Sequence, residues 1–170
     1  LFRLYVLIIQ YSGIRPGEEM ASLQWRDVSN PKSKGQEYVM LKVITAKNKK
    51  GEKVIRPVVA MPQLKKALEA FKKHKHLYNK EGAIFIHPST SQLNKRYHGK
   101  SIKTFKKQWE AFISWAGLQY EADPPHRSRA LYSLRHYYFE QRLINSDVPL
   151  ILLAKNGGTS IQVLEKWYAD

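Results

Sequence analysis

From Phe2 the apolar residues recur at helical spacing through Leu4, Leu7, Ile8 and Tyr11, and Gly13 follows where a left-handed cap would end the run. The pattern predicts a buried first helix. Ile14, Arg15 and Pro16 read as a turn, and Glu18, Glu19, Ala21, Leu23 and Trp25 as a short helix opened by the proline, which puts Arg15 at a helix junction. Two stretches rich in β-branched and aromatic residues, Glu37 to Ala46 and Lys53 to Ala60, predict a hairpin. Its turn, Lys47-Asn48-Lys49-Lys50-Gly51, supplies the Asn and Gly that tight turns favour. Trp25 to Ser29 is a candidate third strand. Pro62 opens a helix with Leu64, Ala67, Leu68 and Phe71 on one face, and Gly82 to His87 is a short apolar run. From Ser101, the residues Ile102, Phe105, Trp109, Phe112, Ile113 and Ala116 keep a helical period up to Gly117. The remainder holds a helical run through Leu143, an apolar patch from Pro149 to Leu153, a Gly157-Gly158 break and a second short helix from Ser160 to Tyr168. These elements predict one α+β domain, mainly helical, with a small antiparallel sheet.

Charge narrows what such a domain does. The 170 residues carry 29 Lys and Arg against 14 Asp and Glu, a formal charge of +15 that points to a polyanionic partner, nucleic acid before membrane. The apolar runs are too short to cross a bilayer, and the bases are spread over many segments instead of one amphipathic face. Lys95, Arg96, Lys100, Lys103, Lys106 and Lys107 follow one another with no intervening acid and are candidate DNA-backbone contacts, as are Lys49 and Lys50 in the hairpin turn. Without cysteine there is no disulfide, thiolate nucleophile or cysteine zinc site, and no His pair has the spacing and nearby acid of a metal site. The lack of cysteine suits a reducing interior, and the apolar start lacks the features of a secretory signal.

The residues left for chemistry are Arg15, Lys47, Arg135 and Tyr168, with Glu18 near Arg15. Phosphoryl transfer asks for positive groups on the non-bridging oxygens, an acid for the leaving oxygen and a nucleophile held in line. Arginine suits the first task, since its planar fork matches phosphate bidentately. Four pieces, YSGIRPGEEMASLQWRDV, the hairpin lysine in TAKNKKGEKVIRPV, YSLRHYY and LAKNGGTSIQVLEKWY, stand in the order and spacing of one known family. In these the chain resembles the catalytic domain of the tyrosine recombinases, or phage-type integrases, from Tyr11 to Tyr168.

That resemblance implies a site-specific recombinase of a phage or mobile element, cutting and rejoining double-stranded DNA through a 3′-phosphotyrosyl intermediate with no cofactor and no metal. Arg15 and Arg135 match the arginines that clamp the scissile phosphate, and Glu18 the acid that supports the first of them. Lys47 matches the lysine that protonates the departing 5′-hydroxyl, with Lys49 and Lys50 competing for that role, and Tyr168 matches the nucleophile. His136 follows the second arginine as in the family, in a supporting place. Two positions depart from the pattern: Tyr132 and Thr159 stand where the family carries an imidazole or an indole. A degenerate DNA-binding module and a type IB topoisomerase-like strand transferase are the alternatives. The expected setting is the cytoplasm of a bacterial or phage-infected cell, on DNA. Residues 1–170 are then a catalytic-domain fragment, monomeric in solution and self-associating on DNA when full-length. The family's N-terminal DNA-clamping domain and the tail beyond the tyrosine fall outside it.

Overall fold

A computed structural model of the chain describes residues 1–45, 54–74, 78, 80–87, 99–118 and 129–168, with the side chains of Trp167 and Tyr168 outside that description. Helix α1, Phe2–Ser12, forms where the apolar period runs and ends on Gly13, whose φ of 66° is the left-handed cap expected. Gly13 is also required sterically: a Cβ there would lie 2.3 Å from the ring of Tyr138, on a helix crossing the end of α1. After the turn comes α2, Glu18–Ala21, then a single 3-10 turn at Trp25–Asp27. The sheet has order β1-β4-β5, made of Val28–Ser29, Met40–Thr45 and Val54–Val59, all antiparallel. The edge position of β5 lets it carry Pro57, which has no N–H for the ladder. Helix α3, Gln63–Lys72, covers α1 with Leu64, Leu68 and Phe71.

Two expectations need correction. The strand predicted from Glu37 begins at Met40, because Gln36–Glu37 (β3) pairs instead with Lys32–Ser33 (β2) around Lys34 and Gly35, both at positive φ as in a tight two-residue hairpin. The helix predicted from Ser101 is α4, Lys106–Trp115. Residues before it are drawn sideways: Lys100 and Phe85 carbonyls accept from His87 and Ile102 amides at 2.9 and 2.8 Å, so these groups are satisfied by extended pairing before a helix can form. The lysine-bearing turn of the main hairpin, with Lys47, Lys49 and Lys50, lies outside the described residues, as do Lys95 and Arg96.

From Ser133 to Tyr168 the chain is mostly helical. Helix α5 is Ser133–Asn145, α6 is Leu150–Gly157 and α7 is Ile161–Tyr168. The Pro149 to Leu153 patch is thus the first turn of α6, and Gly157 still belongs to that helix. Tyr138, Phe139, Leu153, Ala154 and Leu164 make a small core of their own, beside the larger one built by α1, the sheet, α3, Phe85, Phe105 and Trp109. Among the described residues no helix is long and apolar enough to cross a membrane.

Candidate active site

The end of α6 organises the site. Gly158 takes φ 64°, its amide donates to the Lys155 carbonyl (3.1 Å), and the Thr159 amide donates to that of Ala154 (3.0 Å), the pairing of a Schellman cap. The last carbonyls of a helix have no partner within it, and the helix dipole makes that end negative. Here three consecutive carbonyls each receive one arginine. Asn156 accepts from Nη1 of Arg56, Gly157 from Nη2 of Arg135 at 2.8 Å, and Gly158 from Nη2 of Arg15. Arg135, buried on α5, also donates from Nη1 to the Gly13 carbonyl.

One carboxylate ties two of these guanidiniums together. Glu19 accepts Arg15 Nη1 on Oε1 at 2.8 Å; its Oε2 takes both the Arg15 amide and Arg56 Nη2, each at 2.8 Å. The glutamate is buried, Arg56 nearly so at 11% side-chain exposure, and Arg15 opens to solvent at 37%. Burial lowers the pKa of Arg135 from the ordinary arginine value; the charges of Arg15 and Arg56 push the same way, against Tyr132 and Glu19. Burial lowers Arg56 as well, with Glu19 opposing. Arginine stays protonated through such shifts, so three cations and one carboxylate leave two net positive charges.

Adjoining clefts open onto this cluster. One of about 590 Å³ is lined by Arg15, Pro16, Glu19, Thr45, Arg56 and Gly158. A smaller one of about 200 Å³ holds Tyr132, Arg135, His136 and Thr159 together. A third, about 460 Å³, joins Tyr132 and Pro16 to Lys106 and Trp109 of α4. The Tyr132 ring lies 5.9 Å from the Arg135 guanidinium carbon and 5.3 Å from the His136 ring.

No family model matches this sequence, and no curated protein matches it. Solved structures do match its shape. The XerH site-specific recombinase bound to difH substrate superposes with a TM-score of 0.61 at 21% identity, over 97% of this chain and 42% of that one. XerA recombinase gives 0.63 at 18%, over 97% and 52%. The Tn1549 transposon integrase in complex with transposon right end DNA gives 0.65 at 12%, over 98% and 54%. The chain has the tyrosine recombinase catalytic-domain fold. It spans about half the length of these solved chains.

Within the tyrosine recombinase fold, the structure brings Arg15, Tyr132, Arg135, His136 and Thr159 around the α6–α7 turn. Tyr168 closes α7, the helix that leaves this turn, and its side chain lies outside the described residues, as does all of Lys47. Glu18 is a correction: it is exposed, and Glu19 supports Arg15. Pro16 and Gly17, the latter at φ 101°, delay the helix so that the fourth residue after Arg15, not the third, falls beneath it. Lys100, Lys103, Lys106 and Lys107 are exposed, with Lys106 3.7 Å from Glu110. Sequence reasoning missed Arg56 and Asn156. A signal for Arg56 existed: strand alternation from Val58 and Ala60 puts it on the inner face of β5, where a lone arginine needs an acid.

Proposed function

We propose that this chain is the catalytic domain of a site-specific DNA recombinase, of the integrase kind, that cuts and rejoins duplex DNA through a 3′-phosphotyrosyl intermediate. One observation carries the reading: two arginines far apart in sequence, Arg15 and Arg135, converge on consecutive carbonyls of the turn that launches the helix ending in Tyr168. The bonds described above take two of the five N–H donors of each side-chain guanidinium, and the remaining donors suit the non-bridging oxygens of a phosphodiester. In the proposed step the Tyr168 hydroxyl attacks phosphorus and forms the phosphotyrosyl bond. The bond from phosphorus to the 5′-oxygen breaks, and Lys47 gives that oxygen its proton. The tyrosine proton passes to water in the cleft lined by Tyr132, His136 and Thr159, and rejoining runs the same steps backwards. The ester is exchanged, not hydrolysed, so neither nucleotide hydrolysis nor a metal is called for. Duplex DNA is the partner, in keeping with the transposon right end DNA held by the Tn1549 integrase, and the chain works where that DNA is. Assembly with further copies would take place on it.

The test is covalent trapping on a nicked duplex that loses its leaving strand after cleavage. The parent chain should form a protein–DNA adduct stable to denaturation, and Tyr168→Phe should form none. An adduct at parental yield from Tyr168→Phe moves the nucleophile elsewhere. DNA binding by the parent with no adduct identifies a degenerate DNA-binding module, and relaxation of supercoils without a preferred sequence a topoisomerase.

A further inference from the structure

Arg56 has no part in the chemistry above, yet its contacts join the counter-ion of Arg15 to the end of α6. Nη2 donates to the Oε2 of Glu19, whose Oε1 holds Arg15, and Nη1 donates to the Asn156 carbonyl. The Asn156 side chain in turn pairs with β5 as a peptide group would. Its Oδ1 accepts from the Val59 amide at 2.7 Å, and its Nδ2 donates to the Val59 carbonyl at 3.1 Å and to Tyr138 Oη at 2.8 Å. Strand β5 is thereby fastened to the end of α6 at Arg56 and again at Val59. Contact with the turn is close enough to exclude any side chain there: a Cβ on Gly158 would stand 2.6 Å from Arg56 Nε. That Nε–H is buried with no acceptor among the described residues, an unfavourable arrangement that the other bonds of the guanidinium must hold in place.

Resting on the recombinase reading, we infer that Arg56 is a positioning residue for strand cleavage. Through Glu19 it sets the guanidinium of Arg15, and through Asn156 and Gly158 it sets the turn that launches the Tyr168 helix, so phosphate clamp and nucleophile keep one register. Two of its donors are held by Glu19 and the Asn156 carbonyl, its Nε–H is enclosed and its charge is met by Glu19 at 2.8 Å, so it adds little to DNA affinity. Displacing reacting groups by about an ångström is enough to slow a reaction by about 10²-fold.

The experiment is single-turnover cleavage of the nicked duplex by the full chain, with the dissociation constant measured separately. Arg56→Lys keeps the charge, but an ammonium cannot reproduce the planar fork between Glu19 and the Asn156 carbonyl. At saturating DNA its cleavage rate constant should fall by about 10²-fold, with the dissociation constant and the final adduct yield unchanged. Arg56→Ala should be equally slow and should be accelerated by added methylguanidinium, which leaves the parent unaffected. If Arg56→Ala does not fold, Arg56→Lys alone decides. A parental rate constant in Arg56→Lys, or a defect confined to affinity or to final yield, overturns the inference and leaves the recombinase reading standing. No adduct from the parent itself overturns both.

Discussion

Glu19 is the most exposed joint of this arrangement to a single change. Glu19→Gln keeps the shape and removes the one negative charge among three guanidiniums. Both carboxylate oxygens face donors, from Arg15 Nη1 on one side and from the Arg15 amide and Arg56 Nη2 on the other. An amide presents N–H to one of these sides, so a donor meets a donor. Removing one partner of a buried ion pair typically costs about 3–5 kcal/mol, because the surviving charge is left uncompensated. The Arg15 half counts for little, since that side chain is 37% exposed and water screens it. The cost therefore rests on Arg56, at 11% exposure, and the low end, about 3 kcal/mol, is the expected loss. For a domain of this size that corresponds to a fall in melting temperature of roughly 6–12 °C.

Urea and thermal unfolding of parent, Glu19→Gln and Glu18→Gln measure this directly. Glu18 is exposed, and its substitution should stay within about 0.5 kcal/mol of the parent. Inorganic phosphate should stabilise Glu19→Gln more than the parent, since an anion takes the place of the missing carboxylate and binds only the folded form. Equal losses for the two glutamates would refute the assignment of Glu19 as the shared counter-ion.

Other perturbations reach different parts of the structure. Burial raises the Tyr138 pKa above its unfolded value of about 10, so its contribution to stability is complete below that pH and is lost as pH rises through the folded value. Tyr138→Phe gives up the Asn156 hydrogen bond, about 0.5–1.5 kcal/mol at neutral pH, and its deficit against the parent in urea should shrink on titrating upward; a constant deficit would contradict this. Lys103→Ala with Lys107→Ala should weaken binding to all DNA sequences alike and reduce the salt slope by about 0.9 per lost phosphate contact, whereas altered sequence preference at constant slope would mean base reading. Tyr132→Phe should slow adduct formation by less than the roughly 10²- to 10⁴-fold that a general base supplies, and Arg135→Ala should abolish it; a parent that cleaves only as Tyr132→His would be a degenerate site.

The elements most legible in the sequence were those whose burial pattern is local. Helix α1 and its Gly13 cap, α3, α5 and the β4–β5 pairing follow from periodicity and β-branched content alone. What escaped is decided by partners distant in sequence. The helical pattern from Ser101 fails at its start because residues 100–102 pair with 85–87, and Gln36–Glu37 is taken by its own neighbour across Lys34 and Gly35. At the site the positions of Arg15 and Arg135 were readable, while the acid beneath Arg15 was assigned one residue early because the φ of Gly17 is not visible in a helical-wheel argument. Arg56 was not singled out, although buried Val58 and Ala60, two and four residues on, mark its side of the strand as the inner one.

The supports of this site are mostly backbone. Gly13, Asn156, Gly157 and Gly158 offer carbonyls, which any residue possesses, and Arg15, Arg56 and Arg135 come to them. At the glycines a side chain would be in the way: a Cβ on Gly157 would meet the Phe139 ring at 2.3 Å, as one on Gly13 meets Tyr138. A cradle of this kind constrains a few small residues, three arginines and one buried acid, and leaves the rest of the chain free to vary around a preserved backbone path. It also separates two demands on the site. On the proposed reading, phosphate grip would depend on the backbone path, and proton handling on individual side chains such as Tyr132 and Thr159, which line the same cleft as Arg135 and are the positions at which this chain departs from the pattern it resembles. Grip and chemistry should therefore respond to different substitutions. Replacing Gly157 by Ala should disturb phosphate binding and cleavage together, while exchanges at Tyr132 should change the cleavage rate at unchanged affinity.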